Sequence, residues 1–130
     1  MEYGAQRILL VDDDLSLLKM MSVYLGRVGY TVTASSRTEE AWAAFEASPG
    51  EFAVAVLDGS MPGIRMEELA KRMLHTNPRV CVIAASGYPL DMTAVEAVAP
   101  GRVMFLQKPF STSMLTAAVR RMIAAQEEEL

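Results

Sequence analysis

The sequence predicts one doubly wound α/β domain, a five-stranded parallel sheet with helices on both faces. Three observations carry that prediction. Short apolar runs alternate with helix-period segments five times within 130 residues, and parallel strands need crossover segments of that kind between them. The run Phe52–Leu57 is apolar without a break, the pattern of a strand buried on both faces. No repeat, low-complexity tract or linker interrupts the series, so one core of ordinary domain size is expected.

The elements follow in order. Arg7–Val11 is the first strand, and it ends directly in three aspartates. Leu18, Met21, Leu25 and Val28 recur at helical spacing, which predicts a helix over Leu15–Val28, with Asp14 placed to cap it and Gly29 closing it. Tyr30–Ala34 is rich in strand formers. Ser36 followed by Glu39 has the form of a capping box for a helix carrying Trp42 and Phe45, stopped by Pro49 and Gly50. The third strand leads through Asp58 into the loop Gly59–Gly63. A helix over Glu67–His75 is broken by Asn77 and Pro78. Arg79–Ala85 is the fourth strand, followed by the turn Ser86–Pro89 and a short helix, Thr93–Val98, that stops at Pro100 and Gly101. Val103–Gln107 is the fifth strand. Ser111 is placed to cap a last helix, in which Leu115, Ala118, Val119, Met122 and Ile123 form one apolar face. The domain is expected to occupy residues 1–125, with 126–130 a polar tail or the start of a linker.

Composition excludes several classes of function. The chain is 52% hydrophobic and 22% charged, with a net charge of −4. No apolar run approaches the ~20 residues of a membrane span, and residues 1–7 lack the basic-then-apolar profile of a signal peptide. Cys81 is the single cysteine, so a disulfide framework and a cysteine-based zinc site are both ruled out within one chain. A cytoplasmic location is the expectation. Lysines and arginines are scattered, and no basic stripe marks a nucleic-acid surface. The lone His75 belongs to a helix end and Cys81 to a buried strand, and neither sits in a catalytic pattern.

Ligands of doubly wound sheets bind beyond the carboxyl ends of the strands, and the residues that carry chemistry stand there. Asp12 and Asp13 follow the first strand, Asp58 the third, Ser86 the fourth and Lys108 the fifth. Of five aspartates in the chain, four are Asp12, Asp13, Asp14 and Asp58, so the residue is used for position rather than for solubility. Two carboxylates ~5 Å apart repel by ~3 kcal/mol at an effective dielectric near ~20, which calls for a cation or a raised pKa. Oxygen donors of this kind suit Mg²⁺ (or Mn²⁺) bridging to phosphate. Lys108 offers a mobile charge to a phosphoryl oxygen and Ser86 a hydroxyl to another. Aspartate can itself be the nucleophile, forming an acyl phosphate.

Val11-Asp-Asp-Asp14, Asp58-Gly-Ser-Met-Pro-Gly63, Ser86-Gly-Tyr88 and Lys108-Pro-Phe110 together resemble the receiver domain of two-component response regulators. The resemblance covers nearly the whole chain. It implies the flavodoxin-like strand order 2-1-3-4-5, which the family shares with flavodoxin itself. It implies that Asp58 accepts a phosphoryl group from a histidine kinase or a histidine phosphotransfer domain. Asp12, Asp13, Asp58 and the backbone carbonyl of Ser60 would hold the metal, and Ser86 and Lys108 would engage the phosphoryl oxygens. Phe105 stands where the family has its switch aromatic, and Lys108-Pro109 where it has a cis peptide bond. The Phe-Leu-Gln-Lys-Pro-Phe phrase is similar to receivers of hybrid sensor kinases.

One stretch departs from the family pattern. Ile64-Arg-Met66 replaces the usual capping side chain and glycine, although arginine is a poor N-cap and methionine resists a positive φ. The facing of Phe105 is undecided from alternation with Val103 and Gln107. Rival functions fit less well. A hydrolase of the haloacid dehalogenase type needs a second aspartate at position 60, which is Ser60. A flavin or nucleotide carrier needs a phosphate loop after the first strand, where Asp12–Asp14 repel phosphate. A pseudo-receiver acting only as a protein adaptor usually lacks one of the acids or the lysine, and this chain has them all. The downstream partner or output domain is not encoded in these residues, and direct binding to nucleic acid or membrane is not expected.

Overall fold

The computed structural model describes residues 6–128; the expectation about the N-terminal stretch falls largely outside them. Strands β1 (Arg7–Val11), β2 (Thr31–Ser35), β3 (Phe52–Asp58), β4 (Cys81–Ser86) and β5 (Val103–Gln107) alternate with helices α1 (Leu15–Arg27), α2 (Thr38–Ala47), α3 (Met66–Thr76), α4 (Thr93–Val98) and α5 (Thr112–Glu128). All strand pairs are parallel and the order is β2-β1-β3-β4-β5. The sheet thus turns back on either side of β1, which opens the crevice between β1 and β3 at their carboxyl ends.

Alternation divides the core into two layers. Ile8, Leu10, Val56, Ile83 and Leu106 pack beneath α1 and α5, which contribute Leu18, Met21, Leu25, Leu115 and Val119. Leu9, Val11, Leu57, Val82 and Val103 face α2, α3 and α4, which contribute Phe45, Leu69, Met73 and Val95. Every residue of β3 and β4 is buried, because both strands lie inside the sheet and carry helices on both faces. Burial of each large aliphatic side chain contributes about 1.5–3 kcal/mol.

Local capping signals hold at the starts of α1 and α5. Asp14 Oδ1 accepts from the Leu17 amide at 3.1 Å, and Ser111 Oγ accepts from the Met114 amide at 3.1 Å. The capping box at Ser36 does not form. The N-cap of α2 is Arg37, which makes no side-chain cap. Thr38, the next residue, turns inward to the loop after β3, and that tertiary contact sets where the helix begins. α5 also runs beyond residue 125, to Glu128, with Gln126 Nε2 donating to the Arg79 carbonyl at 2.7 Å.

Candidate functional site

The register sets the expected residues side by side. Val11 pairs with Leu57, so Asp12 and Asp58 leave adjacent strands at the same level. Asp58 pairs with Ala85, and Ser86 with Gln107, which brings Ser86 and Lys108 to the same end. Asp12 is 1% and Asp58 7% exposed, while Asp13 stands in solvent. One carboxylate oxygen from each of the three lies within 4.8 Å of the others, an all-oxygen set that fits a hard divalent ion.

Lys108 reaches across this cluster. Its ammonium donates to Asp12 Oδ2 at 2.8 Å and lies 3.4 Å from Asp58 Oδ1. The Lys108–Pro109 peptide bond is cis, as the resemblance implies. Asp12 Oδ1 accepts from the Asp14 amide at 2.9 Å, and Asp58 Oδ1 from the Ser60 amide at 3.3 Å. Burial pushes the Asp58 carboxyl above its ordinary value, the Asp12 charge adds to that, and Lys108 and the Ser60 amide offset it only in part. Burial alone would lower Lys108. The hydrogen bond and charge of Asp12, with those of Asp58, outweigh it and raise the ammonium above its usual range.

Ser86 is buried, and its Oγ accepts from the Tyr88 amide at 3.1 Å, so the hydroxyl proton remains able to donate. Gly59 lies against it. A Cβ on Gly59 would come within 2.9 Å of Leu90 Cδ1 and 3.1 Å of Ser86 Cβ, so a side chain there would have to displace the tip of Leu90 and press on Ser86. Phe105 is half-buried and two positions from Val103, on the face packed by α3 and α4. That settles the facing that alternation left undecided. His75 is exposed in the last turn of α3, and Cys81 is buried in β4, away from the acids.

Sequence reasoning gave no role to Thr38. Its buried hydroxyl accepts from the Ile64 amide at 2.9 Å and donates to the Pro62 carbonyl at 3.3 Å. Gly63 sits between these two with φ of 95°, and a Cβ there would collide with Thr38 Oγ1 and the Glu39 carboxylate. The positive-φ glycine of the loop after Asp58 therefore precedes Ile64-Arg-Met66 rather than falling within it. The departure at 64–66 signals an unusual loop, but a contact across 26 residues cannot be read from sequence.

A buried acid pair, a third carboxylate and a bridging lysine at the mouth of a 2-1-3-4-5 parallel sheet narrow the chain to flavodoxin-like domains with an acidic site. Comparison with known proteins names the family. The profile of the response regulator receiver domain matches residues 8–120, and the chain belongs to that family: it is a receiver domain of two-component signalling. It is 34% identical over 121 residues to the transcriptional regulatory protein FixJ of Bradyrhizobium diazoefficiens, covering 92% of this chain and 58% of that protein. It is 33% identical to the sensor kinase CckA of Brucella abortus, covering 95% of this chain and 13% of the kinase. Among solved structures, a CheY-like receiver domain protein of Methanospirillum hungatei superposes with a TM-score of 0.84 at 26% identity, covering 96% of this chain and 98% of that one. The chain thus spans only part of the curated relatives quoted. No helix among the described residues is long and apolar enough to cross a membrane.

Proposed function

We propose that Asp58 takes a phosphoryl group from the phosphohistidine of a histidine kinase or a histidine phosphotransfer domain, in a reaction that requires Mg²⁺, with Mn²⁺ able to replace it. One observation carries the reading: Lys108 bridges Asp12 at 2.8 Å and Asp58 at 3.4 Å, beside the third carboxylate of Asp13. An Asp58 oxygen attacks phosphorus, the O–P bond forms as the P–N bond breaks, and the imidazole nitrogen keeps the electron pair. Asp12, Asp13, Asp58 and the Ser60 carbonyl would hold the ion, which would offset charge on the phosphoryl oxygens. Lys108 exchanges part of its pairing with Asp12 for one phosphoryl oxygen, and Ser86 donates its hydroxyl to another. The domain also catalyses its own dephosphorylation: water attacks phosphorus, the bond to Asp58 breaks and the carboxylate is restored.

The signal leaves through the opposite wall. Inward movement of Ser86 vacates space beside β5, Phe105 rotates into it, and the face formed by α4, β5 and α5 changes its affinity for a protein partner. The phosphodonor meets the apolar rim around the acids, where Leu15 is 68% and Met114 47% exposed. A hollow of about 440 Å³ between Leu17, Gly87, Pro109 and Phe110 opens beside Lys108 there. The phosphoacceptor unit includes the whole of α5, which continues past residue 125 to Glu128.

Incubation with labelled acetyl phosphate tests the acceptor. Wild type takes up label with Mg²⁺ and loses it with EDTA, and Asp58→Asn takes up none. Equal labelling of the variant removes Asp58 from the role.

A further inference from the structure

The loop between Asp58 and α3 is short of local support. Its near end is held where the Gly59 amide donates to the Ala85 carbonyl at 2.8 Å. At its far end the N-cap of α3 is Arg65, which forms no side-chain cap. The Ile64 amide and the Pro62 carbonyl are instead satisfied by one side chain from another element, Thr38 of α2, which is 3% exposed. Both bonds are part-buried, and backbone groups withdrawn from water cost free energy when left unpaired. Gly63, with its positive φ, lets the loop pass close enough over Thr38 for both bonds to form. Met61, Ile64 and Met66 pack on the core beneath, so apolar contact holds the loop down while the hydroxyl fixes its position along α2. Ser60 lies between the two tethered points.

We propose that Thr38 is a positioning residue for the metal site: by clasping Pro62 and Ile64 it holds the Ser60 carbonyl and the Asp58 carboxylate in the geometry that binds Mg²⁺. The inference rests on the assignment of those groups as ligands. Thr38 touches neither ion nor phosphoryl group. It acts as residues behind the ligands of a metal site do, by limiting what the ligands can reach.

Mn²⁺ titration, followed by the electron paramagnetic resonance of the free ion, separates the two ideas. Thr38→Val keeps the shape and removes both hydrogen bonds, and it should weaken Mn²⁺ binding about tenfold. Thr38→Ser should retain wild-type affinity. In acetyl phosphate reactions Thr38→Val should raise the Mg²⁺ concentration giving half-maximal rate while leaving the rate at saturating Mg²⁺ close to wild type. A purely structural role would lower the melting temperature without moving the affinity of the folded protein. Gly63→Ala displaces the loop with Thr38 intact, and should weaken Mn²⁺ in the same direction; it carries the test if Thr38→Val does not fold. Wild-type affinity in a folded Thr38→Val or Gly63→Ala overturns the proposal. Mn²⁺ binding that is absent in wild type, or unchanged in Asp12→Ala, overturns the ligand assignment beneath it.

Discussion

Asp58 carries an electrostatic cost that its neighbours reduce without removing. Burial and the Asp12 charge raise its carboxyl above the ordinary value, so the folded chain holds the Asp58 proton more tightly than the unfolded chain does. That preference stabilises the fold below the ordinary carboxylate range and is lost as pH rises through the raised value. At neutral pH the ionised group is therefore a liability. Asp58→Asn should melt higher than wild type at about pH 7 without divalent ions, by about 4 °C if the relief is about 1 kcal/mol. The gain should shrink as pH falls below the carboxylate range, where wild-type Asp58 is itself neutral; thermal melts across pH would refute this if the variant were no more stable at neutral pH. At this scale the sequence was most legible. Asp12, Asp13, Asp58 and Lys108 stand out because each follows a strand, and strand ends converge in a doubly wound sheet. Ser86 is readable only by that position. Thr38 is not, because its significance lies in a loop met 26 residues later in the chain.

Elements were legible where their pattern is local and less so where partners outside them decide. Asp14 and Ser111 cap the helices they precede because each needs only its own next turn. The Ser36–Glu39 box fails because the start of α2 is fixed by the β3–α3 loop, a competitor that no short window contains. β4 begins at Cys81 rather than Arg79, since the Asn77 side chain accepts from the Arg79 amide at 2.9 Å and holds that residue in a turn. α4 is the shortest α-helix described, with Val95 as its buried residue and no side-chain cap at Met92. An element so lightly anchored can shift at little cost. Beryllofluoride, which mimics the aspartyl phosphate, should therefore move NMR resonances most at residues 86–98 and 103–110. Bound beryllofluoride that left both segments unchanged while α2 around Trp42 responded would refute the switch through Ser86 and Phe105.

The whole molecule separates a rigid platform from a reactive rim. β1, β3 and β4 are buried between two helical layers, and their carboxyl ends hold Asp12, Asp58 and Ser86 at fixed spacing. The acids then need little side-chain freedom, which suits a site whose task is to position charge. Fold class was readable from the alternation of apolar runs with helical segments, whereas the strand order followed from the resemblance to receiver domains, since right-handed crossovers narrow the arrangements without selecting one. The central claim is that this rim makes an acyl phosphate at one residue. Borohydride reduction of the phosphorylated protein, followed by peptide mass spectrometry, tests it most directly, because hydride converts an aspartyl phosphate to homoserine. Homoserine should appear at position 58 alone, only after phosphodonor and Mg²⁺ have both been supplied. Conversion at another residue, or conversion at position 58 undiminished by EDTA, would contradict it.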